Sequence, residues 1–475
     1  MSTSAPNFDL HFVIGGAGFV GSYIARALVA RGETAVASFD LRDAPEPVPG
    51  VHYYTGDLTK ADSLTSAIAA ARADTKSIRP VVIYHTASPI AGLGPDVYEA
   101  VNVRGTETVI TVAKDAANKV AKLVFTSSAG VVFTGKDLKF IDERMQYPEK
   151  PLDSYNDTKA RAEKAVLEAN DPQGLQTIAL RPAGIFGPGD RQALPGFFGV
   201  LESGRTRWQI GSNENLFDWT YVENVAHAHL LAADRLGTPS INGAPALPGV
   251  EFETERLATE HLAIRSLSPV EAAAQREVPI SPRRADVPAP ATDYARRVGN
   301  NAWSTLKESD GLNQRPVFRN RFDPLFHHVF PDVPSGGNPA PQRTSLARKT
   351  LGAAGEAFFI TNGQPITFWD FPRALWYRYN GHAVPPEKLI VISLWFALIL
   401  ATLAEFFSQL TGRPVQFTRY KVTYTACARY YNIEKARRIL GYEPLIGMDE
   451  AINRSAAWWR SVHPPEHAHE SRKDK

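Results

Sequence analysis

A tyrosine and a lysine in the middle of the chain have the residue types and the spacing for proton transfer. Tyr155 and Lys159 are four residues apart in a segment with a helical pattern, so both side chains are expected on one helix face. An ammonium group beside a phenol stabilises the phenolate and lowers the phenol pKa from about 10 toward neutral. A phenolate of that kind is a suitable base for an alcohol proton. On its own, however, such a pair is common and usually structural.

Two serines strengthen the catalytic interpretation. Ser127 and Ser128 follow an apolar run at 123–126, which predicts a strand. A serine hydroxyl can stabilise the oxygen of a developing alkoxide or carbonyl, so one of the two is expected to act together with Tyr155. Ser154 is the expected N-cap of the helix that carries the tyrosine.

A glycine-rich turn near the N-terminus predicts a nucleotide site. Gly15, Gly18 and Gly21 follow an apolar run at 12–14 and open a segment of helical periodicity. In a strand–turn–helix unit, these glycines permit the tight turn, the approach of a pyrophosphate and close helix packing. The helix N-terminus then attracts the phosphates through its free N–H groups and its dipole.

An acidic residue follows the glycines at the distance expected of a ribose ligand. Asp40 ends the strand-like run at 34–39, and its carboxylate can accept hydrogen bonds from a ribose 2′-hydroxyl and repel a 2′-phosphate. This favours NAD over NADP. Arg42 leaves NADP open, because an arginine nearby can accommodate the phosphate, and an ordinary solvated loop acid is the other interpretation of Asp40.

Strand-like and helix-like segments alternate along the N-terminal half. Further strands are predicted at 52–55, 81–85 and 123–126, with small residues after the second of them at 86–88. This alternation predicts the α/β class, a Rossmann-type doubly wound parallel sheet with helices on both faces. Ligands of such sheets bind beyond the carboxyl ends of the strands, where small residues leave room.

The composition is that of an ordinary soluble globular protein. Of 475 residues, 44% are hydrophobic and 21% charged, enough for a sizeable core. The net charge of +2 gives no reason to expect nucleic acid as the main partner. A single cysteine, Cys427, excludes an intramolecular disulfide and suits a reducing compartment. No signal-peptide pattern precedes the first strand, and no cluster of metal ligands is visible.

Taken together, the motifs resemble the extended short-chain dehydrogenases/reductases. They are Gly15-x-x-Gly18-x-x-Gly21, Asp40, Asp57-Leu58, Asn102-x-x-Gly105-Thr106, Ser127-Ser128 and Tyr155-x-x-x-Lys159. Further stretches at 84–89, 180–190, 217–228, 355–362 and 368–371 are similar to the 3β-hydroxysteroid dehydrogenase branch, and most of all to its sterol-4α-carboxylate 3-dehydrogenases. The similarity covers about residues 8–235 and 354–460.

The resemblance implies a role for individual residues. Tyr155 would be the general base, Lys159 would bind the nicotinamide ribose, and Ser128 would donate to the substrate oxygen, with Ser127 as the alternative. It also implies an NAD site that comprises Gly15, Gly18, Phe19, Val20, Gly21, Asp40, Asp57, Leu58, Ala87, Ser127, Lys159, Pro182 and Ile185.

The expected activity is NAD-dependent oxidation of a sterol 3β-hydroxyl, with loss of CO2 if the substrate carries a 4α-carboxylate. The alternatives are a 3β-hydroxysteroid dehydrogenase with Δ5 isomerisation, another NAD(P)-dependent alcohol oxidoreductase, and a redox-sensing protein without catalysis. Other C-4 demethylation enzymes at the cytosolic face of the endoplasmic reticulum, and a second copy of the chain, are the expected protein partners.

Several aromatic and histidine residues allow a structural interpretation. Phe197, Phe198 and Trp219 are either core aromatics or a substrate wall. His227 and His229 are two residues apart on a helical pattern, so they point in different directions and are expected to be structural.

The chain is expected to divide into four parts. An NAD-binding Rossmann domain with the catalytic residues occupies 8–236, and a proline- and arginine-rich insert at 237–353 is expected to be poorly ordered. This insert is either a lineage-specific loop or translated non-coding sequence. A smaller substrate-binding part follows at 354–460, and then a polar tail at 461–475.

An uncharged apolar run at 389–404 predicts a helix in the C-terminal part. It is shorter than the ~20 residues that span a bilayer, so peripheral membrane contact is expected. Trp395 and Phe396 suit such an interface, and a core or dimer-interface helix is the alternative.

Overall fold

The structure is a computed structural model that describes residues 9–90, 92–143, 145–237, 353–411, 417–433 and 435–464. Nearly all of the predicted insert and most of the predicted polar tail lie outside the described residues. The ordering expected for them is therefore untested.

A seven-stranded parallel sheet forms the centre of the fold, as the sequence predicts. Its strand order is β12-β7-β5-β4-β1-β2-β3. The order reverses between β1 and β4, where Ile14 pairs with His85. The strands of the described residues are β1 (Leu10–Ile14), β2 (Val36–Asp40), β3 (Val51–Thr55), β4 (Val81–His85), β5 (Val120–Thr126), β6 (Leu138–Ile141), β7 (Gln176–Pro182), β8 (Gly184–Phe186), β9 (Trp208–Ile210), β10 (Leu216–Phe217), β11 (Trp219–Tyr221), β12 (Glu356–Ile360), β13 (Ile366–Thr367), β14 (Ile390–Ile392) and β15 (Arg429–Tyr431).

Helices cover both faces of this sheet, and two apolar clusters fill the space beneath them. Alternate β1 residues enter opposite clusters, Val13 on one face and Phe12 and Ile14 on the other. The α-helices are α1 (Phe19–Ala30), α2 (Ala61–Thr75), α3 (Pro95–Tyr98), α4 (Gly105–Lys114), α5 (Ser154–Glu168), α6 (Ala193–Glu202), α7 (Val222–Arg235), α8 (Asp370–Asn380), α9 (Leu394–Thr411), α10 (Arg419–Ala426) and α11 (Met448–Val462). A π-helical segment, Glu99–Arg104, joins α3 to α4.

The predicted boundary between the Rossmann domain and the C-terminal part does not separate two bodies. Strand β12 comes from the C-terminal part, yet it pairs with β7 as the edge strand of the main sheet. Conversely, β6 and β10 come from the first part, yet both pair with β15 in a four-stranded sheet. The main sheet and the four-stranded sheet thus each contain strands from both predicted parts of the chain.

Two local predictions are wrong. The N-cap of α5 is Asp153, whose carboxylate accepts a hydrogen bond from the backbone N–H of Asn156 at 2.8 Å, so Ser154 is the first helical residue instead. The run at 389–404 is not one helix. Its first residues form β14, which pairs with β9, and α9 begins only at Leu394.

Candidate active site

The glycine loop connects β1 to α1 through backbone contacts that leave no room for side chains. Gly15 has a positive φ of 81°, and a Cβ there would lie 2.6 Å from the backbone nitrogen of Ala87. A Cβ on Gly21 would lie 2.2 Å from the carbonyl oxygen of Gly15. The N-cap of α1, Gly18, provides no side-chain cap, and no acidic residue occupies the first turn. The first N–H groups of α1 therefore suit an anion such as a pyrophosphate.

Asp40 lies at the carboxyl end of β2, beside this loop. Its carboxylate accepts hydrogen bonds from the backbone N–H groups of Ala17 at 3.2 Å and Arg42 at 3.3 Å. The side chain of Arg42 is exposed. A carboxylate held in this position fits a ribose diol and disfavours a 2′-phosphate by charge repulsion.

Asp57 and Leu58 follow β3 at the same edge of the sheet. The Asp57 carboxylate accepts hydrogen bonds from the backbone N–H and the hydroxyl of Thr59, which hold the pKa of that carboxyl below its usual range. Leu58 packs against Gly105, where a Cβ would lie 2.2 Å from Leu58 Cδ1. Pro182 ends β7, and Ile185 lies in β8 opposite Thr220 of β11.

Tyr155 lies in the first turn of α5 with two serine hydroxyls near its phenol. The hydroxyls of Ser88 and Ser128 both act to lower the pKa of this phenol. Ser128 Oγ accepts a hydrogen bond from the backbone N–H of Gly130 at 3.0 Å, which leaves its own proton free to donate to another oxygen. The ring of Tyr98 packs edge-on against Tyr155, with centroids 5.6 Å apart.

The other serine of the pair faces a different group. Ser127 is buried, and Glu163, two turns after Tyr155 in α5, is also completely buried. Burial opposes ionisation of Glu163, but Arg181 outweighs it and lowers the pKa of this carboxyl, with a smaller contribution from the Ser127 hydroxyl. The Ser127 hydroxyl thus lies near the Glu163 carboxylate, which pairs with Arg181.

Lys159 is almost completely buried one turn after Tyr155. Its Nζ donates a hydrogen bond to the carbonyl oxygen of Thr126 at 2.5 Å and lies 4.3 Å from the ring centroid of Phe125. Burial lowers the pKa of Lys159 to about 7, although Glu163 acts in the opposite direction.

The predicted fall in the Tyr155 pKa is wrong for the free site. Enclosure by neighbouring residues raises the pKa of Tyr155 to about 12, with the Ser88 hydroxyl opposing the rise more strongly than Ser128. Burial disfavours both the Tyr155 phenolate and the Lys159 ammonium. The free-energy cost of this desolvation exceeds the electrostatic stabilisation expected between the two groups one helical turn apart.

Ser88 is the residue that sequence reasoning missed. Its hydroxyl donates to Asn102 Oδ1 at 3.0 Å, and Asn102 Nδ2 donates to Thr158 Oγ1 at 3.0 Å. This chain of polar groups ties the end of β4 to the helix that carries Tyr155. The sequence offered only a weak signal, a small polar residue just after a strand of the parallel sheet.

Of the aromatic and histidine residues named from the sequence, Phe198, Trp219 and His229 are buried, whereas Phe197 and His227 are partly buried. Phe198 stacks on Trp459 with centroids 4.5 Å apart, and Trp219 stacks on Phe371 at 4.3 Å. Phe197 packs against the same cluster and is partly buried. His229 is buried between Thr126 Oγ1 and the carbonyl oxygen of Val225, each 2.7 Å away, which agrees with the structural role expected for it.

Sequence comparison identifies relatives over almost the whole chain. The model of the 3-beta hydroxysteroid dehydrogenase/isomerase family matches residues 12–252. The sterol-4-alpha-carboxylate 3-dehydrogenase, decarboxylating, of Saccharomyces cerevisiae is 33% identical, and the alignment covers 95% of this chain and 97% of the yeast protein. The protein of the same description from Schizosaccharomyces pombe is 34% identical, with 93% and 95% covered.

Structure comparison gives the same fold. A short-chain dehydrogenase/reductase superfamily protein from Agrobacterium tumefaciens, solved with bound NAD, is similar with a TM-score of 0.52 and 16% sequence identity. The match covers 95% of this chain and 98% of that protein. It confirms the doubly wound α/β architecture predicted from the sequence.

Proposed function

The chain belongs to the 3-beta hydroxysteroid dehydrogenase/isomerase family, and we propose that it uses NAD to oxidise the 3β-hydroxyl of a 4α-carboxylated sterol, with loss of CO2. The description shared by the two fungal relatives, over more than nine tenths of each chain, supports the substrate. The observation that carries the chemistry is the Tyr155 phenol at the carboxyl edge of the sheet, with two serine hydroxyls near enough to lower its pKa.

NAD fits the residues at this edge. The amides at the start of α1 would hold the pyrophosphate and Asp40 the adenosine ribose, while Lys159 would bind the nicotinamide ribose. Bound NAD would supply the hydride acceptor and place a positive charge near the phenol. Such a charge favours the phenolate and opposes the desolvation that keeps the pKa of Tyr155 high.

Tyr155 acts as the base in the proposed reaction. Its oxygen takes the proton of the 3β-hydroxyl as the C3–H bond breaks with its electron pair, and Ser128 donates to the substrate oxygen. Lys159 fixes α5, the helix that carries Tyr155, to the end of β5 through its hydrogen bond to the Thr126 carbonyl oxygen. The product of this step is a 3-ketone.

Decarboxylation then needs little further machinery. A 4-carboxylate next to a 3-ketone is a β-keto acid. When the bond from C4 to the carboxyl carbon breaks, its electron pair forms an enolate whose charge lies on the C3 oxygen, and CO2 leaves. Donors already placed on that oxygen stabilise the enolate, which then takes a proton at C4.

The activity is tested with purified protein, NAD and a 4α-carboxy-3β-hydroxysterol. We expect NADH by absorbance and a 3-ketone lighter by CO2 by mass spectrometry. The matched 3α-hydroxy epimer is the control and should give neither. A ketone that retains its carboxylate would limit the function to oxidation. A conjugated ketone from a Δ5-steroid with no reaction of the carboxysterol would favour the isomerase alternative.

We further propose that α9 rests on the cytosolic face of the endoplasmic reticulum membrane. This helix has 18 residues with a mean hydropathy of 1.5, and only 11% of it is buried, although its length and composition alone suffice to cross a membrane. Trp395 is 67% exposed and Leu410 is 66% exposed. The low burial argues against the core-helix alternative.

The contacts of α9 favour a peripheral position. Ala397 and Ala401 pack with Val422 of α10. Glu405 accepts hydrogen bonds from the backbone N–H and Nε of Arg419 at 2.8 and 2.7 Å. One face of α9 is thus attached to the protein, and the apolar face opposite can enter the headgroup region.

Cosedimentation with phosphatidylcholine vesicles tests this placement. We expect the double variant Leu403→Glu/Phe407→Glu to lose most vesicle binding, because it places two charges on the exposed apolar face. Ile78→Glu, at a still more exposed apolar residue in the N-terminal half, is the control and should bind like the wild type. A wild-type dimer that the double variant dissociates, without any vesicle binding, would instead assign α9 to a dimer interface.

A further inference from the structure

A buried arginine in the four-stranded sheet lies among aromatic rings. Arg429 begins β15 and is only 5% exposed. Its guanidinium carbon lies 3.6 Å from the ring centroid of Tyr424 and 4.5 Å from those of Phe133 and Phe217. These rings fix the plane of the guanidinium and replace part of its lost hydration.

The guanidinium of Arg429 has no acidic partner among the described residues. Its Nε and Nη2 are buried and make no hydrogen bond there. Other buried arginines are paired, since Arg181 donates to Glu163 at 3.0 Å, and Arg373 lies 3.4 Å from Asp370. A buried cation without an anion is costly, so an unpaired one is a candidate for recognising an anion from outside the chain.

The aromatic neighbours of Arg429 belong to segments that adjoin the candidate active site. Phe133 ends the turn that begins at Ser128. Phe217 lies against Gly184 of β8, where a Cβ would be 3.3 Å from its ring, and Gly184 precedes the nicotinamide-side residue Ile185. Two of the three aromatic contacts of Arg429, Phe133 and Phe217, thus connect it to segments at the site.

Tyr420 links Arg429 to Tyr155 electrostatically. Burial is the main cause that raises the pKa of the Tyr420 phenol. Arg429 lowers this pKa and Tyr155 raises it, so both groups lie within electrostatic range of one phenol.

We propose that the guanidinium of Arg429 binds the 4α-carboxylate of the substrate. This inference rests on the proposed function, because C4 is bonded to C3, the carbon that is oxidised. A guanidinium presents two parallel N–H donors that match the two oxygens of a carboxylate. Departure of neutral CO2 removes the partner of Arg429, so the ketone product binds less tightly than the acid.

The test compares two substrates on three proteins. The substrates are a 4α-carboxy-3β-hydroxysterol and its 4α-methyl analogue, and the proteins are the wild type, Arg429→Gln and Arg429→Lys. We expect Arg429→Gln to lower kcat/KM for the acid roughly 100-fold and to change that for the methyl analogue less than about threefold. Arg429→Lys should fall between, since it keeps the charge and loses the paired donors.

Controls separate recognition from folding. Arg454→Gln removes an exposed guanidinium from α11 and should leave both kcat/KM values unchanged. NAD binding, followed by quenching of protein fluorescence, should be the same in all variants if they fold. If Arg429→Gln does not bind NAD, the wild type is compared on the acid and its neutral 4α-carboxamide, and absence of a preference for the acid would overturn the inference.

The remaining outcomes are equally decisive. Equal losses on both substrates, with NAD binding intact, would make Arg429 a structural residue and overturn the inference. No loss on either would do the same. A wild-type protein that is inactive on both sterols would refute the proposed function. An active wild type whose preference for the acid is unchanged in Arg429→Gln would refute only the role of Arg429.

Discussion

The proposed cofactor side and the proposed substrate side of the site are built in different ways. The cofactor side, defined by residues 15–21, Asp40 and Ala87, is held by backbone hydrogen bonds between neighbouring strands, such as Gly15 N–H to the Phe39 carbonyl oxygen at 2.8 Å. The substrate side, defined by Phe133, Phe217 and Arg429, is held by side chains from distant segments. A local pattern therefore specifies the first, whereas only the tertiary structure assembles the second.

This difference predicts that chemistry and cofactor binding can be separated by mutation. Tyr155→Phe removes the atom that takes the proton, and we expect turnover to fall about 1,000-fold while the Kd for NAD stays within about twofold. Steady-state kinetics and fluorescence titration measure the two quantities. Tyr54→Phe, which removes a hydroxyl bound to Asp74 of α2, is the matched control and should retain turnover. Retained turnover in Tyr155→Phe would contradict its role as base.

The converse separation uses the glycine loop. Gly21→Ala would place a Cβ 2.2 Å from the carbonyl oxygen of Gly15, a backbone atom that cannot rotate away. We expect the affinity for NAD to fall at least roughly 100-fold, which is about 3 kcal/mol of binding free energy. Gly199→Ala in α6 is the control, because a Cβ there meets nothing within 4 Å. Normal NAD affinity in Gly21→Ala would refute the proposed binding position of the pyrophosphate.

What the sequence predicted follows the same division. The bounds of β4, the turn at Gly15 and the helix that carries Tyr155 were predictable, because glycine conformation and hydrophobic periodicity are local properties. The N-cap was misplaced by one residue, since Asp153 and Ser154 are both good cap formers.

The remainder depends on groups that only the fold brings together. Ser88 gives no sequence signal beyond its small size, and it meets Tyr155 only because the end of β4 lies against α5. Arg429 is one arginine among many in the sequence, and its lack of an acidic partner is a property of the packed structure. The raised pKa of Tyr155 was missed for the same reason, because desolvation is not visible in residue spacing.

Substitution of Ser88 tests whether this residue just after β4 influences the Tyr155 phenol during catalysis. Removing its hydroxyl with Ser88→Ala should lower kcat/KM roughly 10-fold and move the acidic limb of the pH profile upward by about one unit, since a polar group that lowers the Tyr155 pKa is lost. Ser88→Thr keeps the hydroxyl and should restore both values. If the limb does not move in Ser88→Ala, the hydroxyl does not act on the phenol during catalysis.

The smallest effect on activity is expected at Glu143, between β6 and the edge strand β12. Burial raises the pKa of Glu143 to about 7, and its Oε1 accepts the backbone N–H of Phe359 at 2.8 Å. The folded state therefore keeps a proton that the unfolded chain releases above about pH 4.5, so stability falls as the pH rises from there to about 7. Glu143→Gln should remove this loss, a gain of about 2 kcal/mol at pH 8 after allowance for partial exposure, and no change below pH 4. Urea unfolding at the two pH values measures it, with unchanged kcat/KM as the control. Equal stability of variant and wild type at pH 8 would mean that Glu143 ionises without cost in the fold.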